Sequence, residues 1–181
     1  TAVVPPVPPT NTSPPTIDDT SPAVGDVLTA SPGVWTGAPE PTFTYQWCSP
    51  GCVSGSAQYT VQSADVGKQF FVRVTATNGG GSVSADSAAT GVVPPVPPVN
   101  TAAPTIDDTT PAIGQLLTAS PGSWTGAPAP TLSYQWCTPG CVTVLGTGPT
   151  YTVLAADVGK TLVVRVTATN PGGTVTADSL P

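Results

Sequence analysis

Cysteine, aspartate and tryptophan are the residue types in this chain whose spacing points to chemistry. The four cysteines fall in two short motifs, Cys48-Ser-Pro-Gly-Cys52 and Cys137-Thr-Pro-Gly-Cys141. Each motif places two thiols across a three-residue turn. Directly opposed strand residues have Cα atoms ~4.5–5.5 Å apart, within reach of a disulfide. Two local disulfides are therefore expected, and the loop-entropy relation gives each only ~2 kcal/mol for so short a loop. A zinc site needs four ligands brought together. Here the pairs lie far apart in sequence and the chain has no histidine, so no metal site is expected. A redox pair is disfavoured because Pro-Gly between the thiols serves turn geometry.

Acid–base chemistry has little to work with. The chain has one glutamate, Glu40, and Ala129 stands at the matching place in the second half. Asp18-Asp19 and Asp107-Asp108 are adjacent pairs, yet calcium takes six to eight oxygen ligands, and solvated acids at a strand end are the simpler reading. Asp65 and Asp157 are expected to cap turns and to pair with Lys68 and Lys160. No glycine-rich phosphate loop opens a helix. No catalytic residue and no cofactor is expected. Trp35 and Trp124 stand in Pro-Gly-x-Trp-Thr-Gly motifs. A protruding indole there would stack on a sugar ring, and an inserted one would plug the end of a small core.

Composition narrows the class further. Only 8% of residues are charged, the net charge is −6, and Lys68, Arg73, Lys160 and Arg165 are the only basic side chains. Nucleic-acid binding requires clustered cations to displace counterions from phosphates, so it is excluded. No run reaches the ~20 apolar residues that span a bilayer. The chain holds 24 Pro and 19 Gly beside 39% apolar residues. Abundant Val and Thr at low charge indicate β-structure instead of disorder.

The elements that would position these residues are written twice. Asn11-Thr-Ser-Pro-Pro-Thr-Ile-Asp-Asp returns as Asn100-Thr-Ala-Ala-Pro-Thr-Ile-Asp-Asp, and Trp35 and Trp47 return as Trp124 and Trp136, at a constant offset of 89. Beyond the cysteine hairpin the offset is 92, as in Tyr59 and Tyr151 or Arg73 and Arg165, so the second copy has three extra residues around Val144 to Gly148. Thr1-Ala-Val-Val-Pro-Pro matches Thr90-Gly-Val-Val-Pro-Pro. Joining Pro181 to Thr1 keeps the register, so one period of a longer array is expected.

Within a copy, short alternating segments are separated by turn residues. Thr42 to Cys48 sets Phe43, Tyr45 and Trp47 on one face. Lys68 to Asn78 sets Phe70, Val72, Val74 and Ala76 inward. Leu132, Tyr134, Trp136, Leu162, Val164, Val166 and Ala168 repeat the pattern. About seven half-buried strands in some 85 residues predict an all-β, two-sheet sandwich, with Tyr45, Trp47, Tyr134 and Trp136 as core anchors. The expected organisation is a proline-rich linker at 1–10, a domain at 11–93, a linker at 94–99 and a domain at 100–181.

At Tyr45-Gln-Trp47, Asp65-Val-Gly67 and Phe70-Phe-Val-Arg-Val-Thr-Ala-Thr-Asn78 the text resembles the immunoglobulin-like fold, and in particular the tandem Ig-like repeats of bacterial surface and extracellular fibre proteins. The resemblance covers 17–93 and 106–178. It implies two tandem immunoglobulin-like sandwiches without the inter-sheet disulfide of antibody domains, because Leu28 and Val72 hold the inward positions.

Val3 to Pro9 and Val92 to Val99 are expected to be extended polyproline struts. The expected role is a structural, non-enzymatic spacer in an extracellular or cell-surface fibre, stalk or filament. Identical units would adjoin head to tail, and Ser/Thr beside Pro, with the sequon Asn11-Thr-Ser13, would carry glycans. The alternatives are a carbohydrate-binding or adhesive module using Trp35 and Trp124, and an accessory spacer of a secreted hydrolase. Mass spectrometry of the unreduced protein should find Cys48 joined to Cys52 and Cys137 to Cys141. Free thiols, or a bridge between the copies, would refute that pairing.

Overall fold

β-branched and aromatic residues alternating with small polar ones build the central pair of strands in each module. The computed structural model describes residues 2–181. In the first module the strands are β1 (Val7–Ser13), β2 (Thr16–Ile17), β3 (Val27–Ser31), β4 (Val34–Ala38), β5 (Thr42–Ser49), β6 (Gly51–Gly55), β7 (Gln58–Thr60), β8 (Phe71–Asn78) and β9 (Gly81–Asp86). In the second they are β10 (Val96–Ala102), β11 (Thr105–Ile106), β12 (Leu116–Ser120), β13 (Ser123–Ala127), β14 (Thr131–Cys137), β15 (Val144–Thr147), β16 (Thr150–Thr152), β17 (Val163–Asn170) and β18 (Gly173–Asp178).

Each module is an immunoglobulin-like sandwich. One sheet runs β6-β5-β8-β9 and the other β2-β3-β7, with a separate β1-β4 ribbon, and the second module repeats all three. Every pairing is antiparallel. The register puts Trp47 opposite Val72, Tyr45 opposite Val74 and Phe43 opposite Ala76. Cross-strand neighbours on one face are what stabilise a sheet. Leu28 and Ala30 of β3 meet that face from the other sheet, and Val61, Phe70 and Val93 fill the ends of the core. In the second module Leu117, Ala119, Trp136, Tyr151, Val153 and Val164 do the same. Leu28 and Val72 are fully buried, where antibody domains carry their inter-sheet disulfide.

The proline-rich segments differ from the expected struts. The two compact units are 1–94 and 95–181, and Thr1 of the expected first linker lies outside the described residues. Val7–Ser13 and Val96–Ala102 are strands of their modules, paired with β4 and β13. Val93 is buried in the first module, so only Pro94 and Pro95 stand between the last core residue of one unit and the first strand of the next. The reason is a contact with residues distant in the sequence. A proline ring removes the N–H but leaves the carbonyl as an acceptor. Asn78 Nδ2 donates to Val7 O at 2.8 Å and to Pro39 O at 2.7 Å, while its Oδ1 accepts from Gly80 N–H. Asn170 repeats all three bonds with Val96, Pro128 and Gly172. Gly80 is required for this approach, since a Cβ there would stand 2.6 Å from Pro8 N. Pro9 and Pro98 are buried as a result.

Asn78 thus fastens the β1 ribbon to the β8-β9 turn. Asn78→Ala removes two donors' bonds and one acceptor's, and should destabilise the first module by about 1–3 kcal/mol in urea unfolding. An unchanged midpoint would show that the ribbon unfolds apart from the sandwich.

Candidate functional site

The candidate side chains gather at three places: the aromatic centre of each core, the cysteine hairpin beside it, and the ribbon tryptophan at the far end. At the centre, Trp47 is 4% exposed and Trp136 fully buried. A buried indole needs an acceptor for its N–H. Trp47 Nε1 donates to Ser56 O at 3.2 Å, and Trp136 Nε1 to Gly148 O at 3.0 Å. Tyr45 and Tyr134 are half-buried on the same faces.

Tyr59 packs between Trp47 and Phe70, with ring centroids 5.7 and 5.0 Å away. Tyr151 stacks on Trp136 at 5.7 Å. The Tyr59 hydroxyl donates to Asp65 Oδ2 at 2.7 Å, and the same oxygen accepts from Gln62 N–H at 2.8 Å. Lys68 Nζ reaches Asp65 Oδ1 at 3.0 Å. Asp157 receives Tyr151, Leu154 N–H and Lys160 at 2.6, 3.0 and 3.2 Å. Sequence reasoning found the carboxylates and the lysines but not the two tyrosines. Their signal was available, since Tyr and Asp recur six residues apart in both copies.

These carboxyls are held below their usual range. Burial alone would raise that of Asp65, but the bonds from Tyr59, Gln62 and Lys68 outweigh it. At Asp157 the Tyr151 hydrogen bond leads, against burial. Burial first, and then the carboxylate acceptor, push Tyr59 and Tyr151 up to about 12. A phenol so raised is a fixed donor at neutral pH, not a base. Asp65 and Asp157 are structural counter-charges in closed hydrogen-bond sets.

The hairpins differ between the copies. In the first, Cys48 pairs directly with Cys52 across β5 and β6, their Cα atoms are 4.0 Å apart, and a disulfide joins them. In the second, Cys137 and Cys141 are also joined, with Cα atoms 5.0 Å apart, but Cys137 lies opposite Val144 and not Cys141. Directly opposed cysteines were expected in both copies, and the second departs from this. Its three extra residues move the return strand to β15, and Cys141 ends a single 3-10 turn at Pro139–Cys141 with φ 52°. The displaced strand has a packing consequence. Leu145 reaches the core of the second module, and Gly146 lies so near Tyr151 that a Cβ would be 2.8 Å from the ring. In the first module the corresponding surface, between Trp47, Tyr59, Phe70, Val53 and Gly55, stays open as a pocket of about 270 Å³.

Trp35 and Trp124 sit on β4 and β13, opposite Asn11 and Asn100. Both are half-buried. Trp35 lies 6.1 Å from the Phe43 ring and packs on the core. Its Nε1 donates to Pro32 O at 2.7 Å, and that of Trp124 to Pro121 O at 2.9 Å. The acid pairs accept from backbone N–H groups, and Asp108 Oδ2 also accepts from Gln115 Nε2 at 2.7 Å. Asp18 Oδ1 accepts from Thr29 N–H at 2.7 Å, which leads in lowering its pKa, and Asp107 Oδ1 accepts from Thr118 N–H at 2.9 Å. Asp19 and Asp108 accept from Ser21 and Thr110 N–H. Asn11, the sequon residue, donates to Ser13 O and Val34 O.

No protein-family model matches the chain, and no curated protein matches it in sequence. Solved structures resembling it are tandem immunoglobulin domains. One comprises domains 1–5 of Sidekick-1, at 20% identity over 92% of this chain and 38% of that one, with a TM-score of 0.38. Another is the titin Z1Z2 pair in complex with telethonin, at 16% identity over 95% and 94%, with a TM-score of 0.35. A third is the N-terminal four domains of Dscam1, at 16% identity over 99% and 46%, with a TM-score of 0.43. The chain spans well under half the length of the Sidekick-1 structure and just under half that of Dscam1. No helix among the described residues is long and apolar enough to cross a membrane.

A carboxyl whose pKa falls on folding adds stability above its unfolded value and loses it as pH drops through the folded one. Both buried sets should therefore hold at neutral pH and fail below about pH 4. Urea midpoints measured from pH 7 to pH 2 should fall steeply for the parent. Asp65→Asn with Asp157→Asn should start lower and fall less. Parallel curves would place the acid sensitivity elsewhere.

Proposed function

We propose that the chain is a structural repeat of an extracellular bacterial fibre, surface stalk or filament, in which two immunoglobulin-like modules hold neighbouring parts of an array apart. The observation that carries this reading is what the two copies keep in common. Each repeats the asparagine clamp on the proline-rich strand, the Tyr–Asp–Lys set and a bidentate Arg–Asp pair across β8 and β9 or β17 and β18, Arg73 with Asp86 and Arg165 with Asp178. All of these fasten strands to one another. The pocket beside Trp47, by contrast, is walled differently in the other copy, where Leu145 packs on the core and Gly146 lies against the Tyr151 ring. What the two copies share is what holds their strands together, and this supports a structural role.

Disulfides within the hairpins suit an oxidising compartment, which supports an extracellular or cell-surface location. A non-enzymatic role is supported by the closed state of the buried titratable groups, whose bonding positions are met inside the fold. A glycan-binding role for Trp35 and Trp124 has less support, since each indole N–H is already bonded to a proline carbonyl and one face of Trp35 lies on the core. Glycans attached to Ser and Thr beside Pro fit the same exposed setting.

Single-molecule pulling tests the load-bearing reading. Two unfolding events of similar force are expected, each lengthening the chain by roughly 250–300 Å at ~3.5 Å per residue. Gradual extension without discrete events, or glycan-array binding abolished by Trp35→Ala in a folded protein, would overturn it.

A further inference from the structure

The first module is closed at one end by residues 90–93. Thr90 N–H donates to Phe70 O at 2.7 Å, and Phe70 N–H returns a bond to Thr90 Oγ1 at 3.0 Å. Gly91 N–H donates to Thr20 O, Val93 N–H to Lys68 O, and Gly67 N–H to Val93 O. Val93 is fully buried in the core.

The second module presents the same end as an open groove of about 370 Å³. Its walls are the counterparts, position for position, of the residues that Thr90 to Val93 cover. Leu117 stands for Leu28, Leu162 for Phe70, Thr109 for Thr20, and Gly159 and Lys160 for Gly67 and Lys68. The groove is apolar at its floor. Ile113 and Val158 on its rim are 61% and 71% exposed, while their counterparts Val24 and Val66 are partly covered. The backbone groups that take Thr90, Gly91 and Val93 in the first module recur here as Leu162 N–H and C=O, Thr109 C=O, Lys160 C=O and Gly159 N–H. None of these has a hydrogen-bond partner among the described residues.

We infer that this groove receives residues Thr1–Val4 of a second copy of this chain, with Val4 in the place that Val93 takes in the first module. Residues 1–5 read Thr-Ala-Val-Val-Pro and residues 90–94 read Thr-Gly-Val-Val-Pro, so the segment carries the groove's own ligand sequence. The one difference is tolerated. A Cβ at Gly91 would meet Thr20 O at 3.2 Å, a contact that a small shift relieves. Val3 and Val4 are 91% and 89% exposed, a state that apolar side chains leave when a cavity is offered. Main-chain bonds supply affinity and the buried valine supplies selectivity, as in other strand-addition modes. Groove and segment are different surfaces, so the contact is heterologous and each added copy offers a fresh groove. The inference names the joint for the proposed array, and rests on that reading only for its biological setting.

Sedimentation velocity over a concentration series of the 181-residue chain tests it. Growing oligomers are expected, and a peptide with the sequence of residues 1–6 should reduce them to monomers where a scrambled peptide does not. Val4→Asp and Ile113→Asp should each lower the association constant by more than about tenfold with melting unchanged. Should Ile113→Asp unfold, Val158→Asp serves in its place. The two variants mixed should form dimers and nothing larger, because Val4→Asp retains the groove and Ile113→Asp retains the segment. Appending Thr-Gly-Val-Val-Pro after Pro181 should close the module on itself, raise its melting temperature and stop assembly. A monomer at every concentration, or assembly indifferent to Val4→Asp, overturns the inference. Failure of the pulling experiment alone would remove the load-bearing role and leave the joint standing.

Discussion

The structure depends on one buried contact in each module, the tyrosine whose ring lies against the core tryptophan and whose hydroxyl reaches an aspartate in the turn before β8 or β17. A sandwich of this size has little apolar bulk, and small domains bury a smaller fraction of their surface than large ones. Trp47 and Trp136 supply much of that bulk, and Tyr59 and Tyr151 hold them in place. The ring joins the two sheets and the hydroxyl fixes the chain's entry into β8 or β17. A phenol buried without an acceptor would cost more than its packing returns. The aspartate in turn would be a buried charge without partners were it not for the tyrosine, the backbone N–H and the lysine. Each member is there because the others are.

Much of this was legible in the sequence where side chains alternate. Phe43-Thr-Tyr-Gln-Trp47 and Phe70-Phe-Val-Arg-Val74 announce their faces, because a strand that buries one side must repeat every second residue. Turn glycines, the cysteine pairs and the doubled text were equally plain. The proline-rich strands were not. Val-Pro-Pro carries no alternation, and its strand character comes from Asn78 and Gly80, some seventy residues away. Long-range contacts of this kind override local preference, and a single copy of the motif gives no hint of them.

The second hairpin shows a different limit. Cys137-Thr-Pro-Gly-Cys141 reads almost like its counterpart, and the pairing of thiols is the same. What changed was decided by three residues beyond the motif, which let Leu145 join the core and set Gly146 against the ring of Tyr151. Length variation in a loop therefore altered core packing while leaving the covalent framework intact. The candidate ligand tryptophans were legible as residues but not as roles, since the proline carbonyls that accept their N–H groups leave no trace in composition.

All four cations of the chain are matched to a carboxylate of their own module: Lys68 to Asp65, Arg73 to Asp86, Lys160 to Asp157 and Arg165 to Asp178. The six remaining acids have no lysine or arginine left to meet them, and Asp108 takes the Gln115 amide instead. With a net charge of −6, two such molecules repel each other, and the repulsion fades beyond ~8 Å at physiological ionic strength. Brine should weaken that repulsion where fresh water preserves it, so the spacing between molecules is set by the medium as well as by the chain.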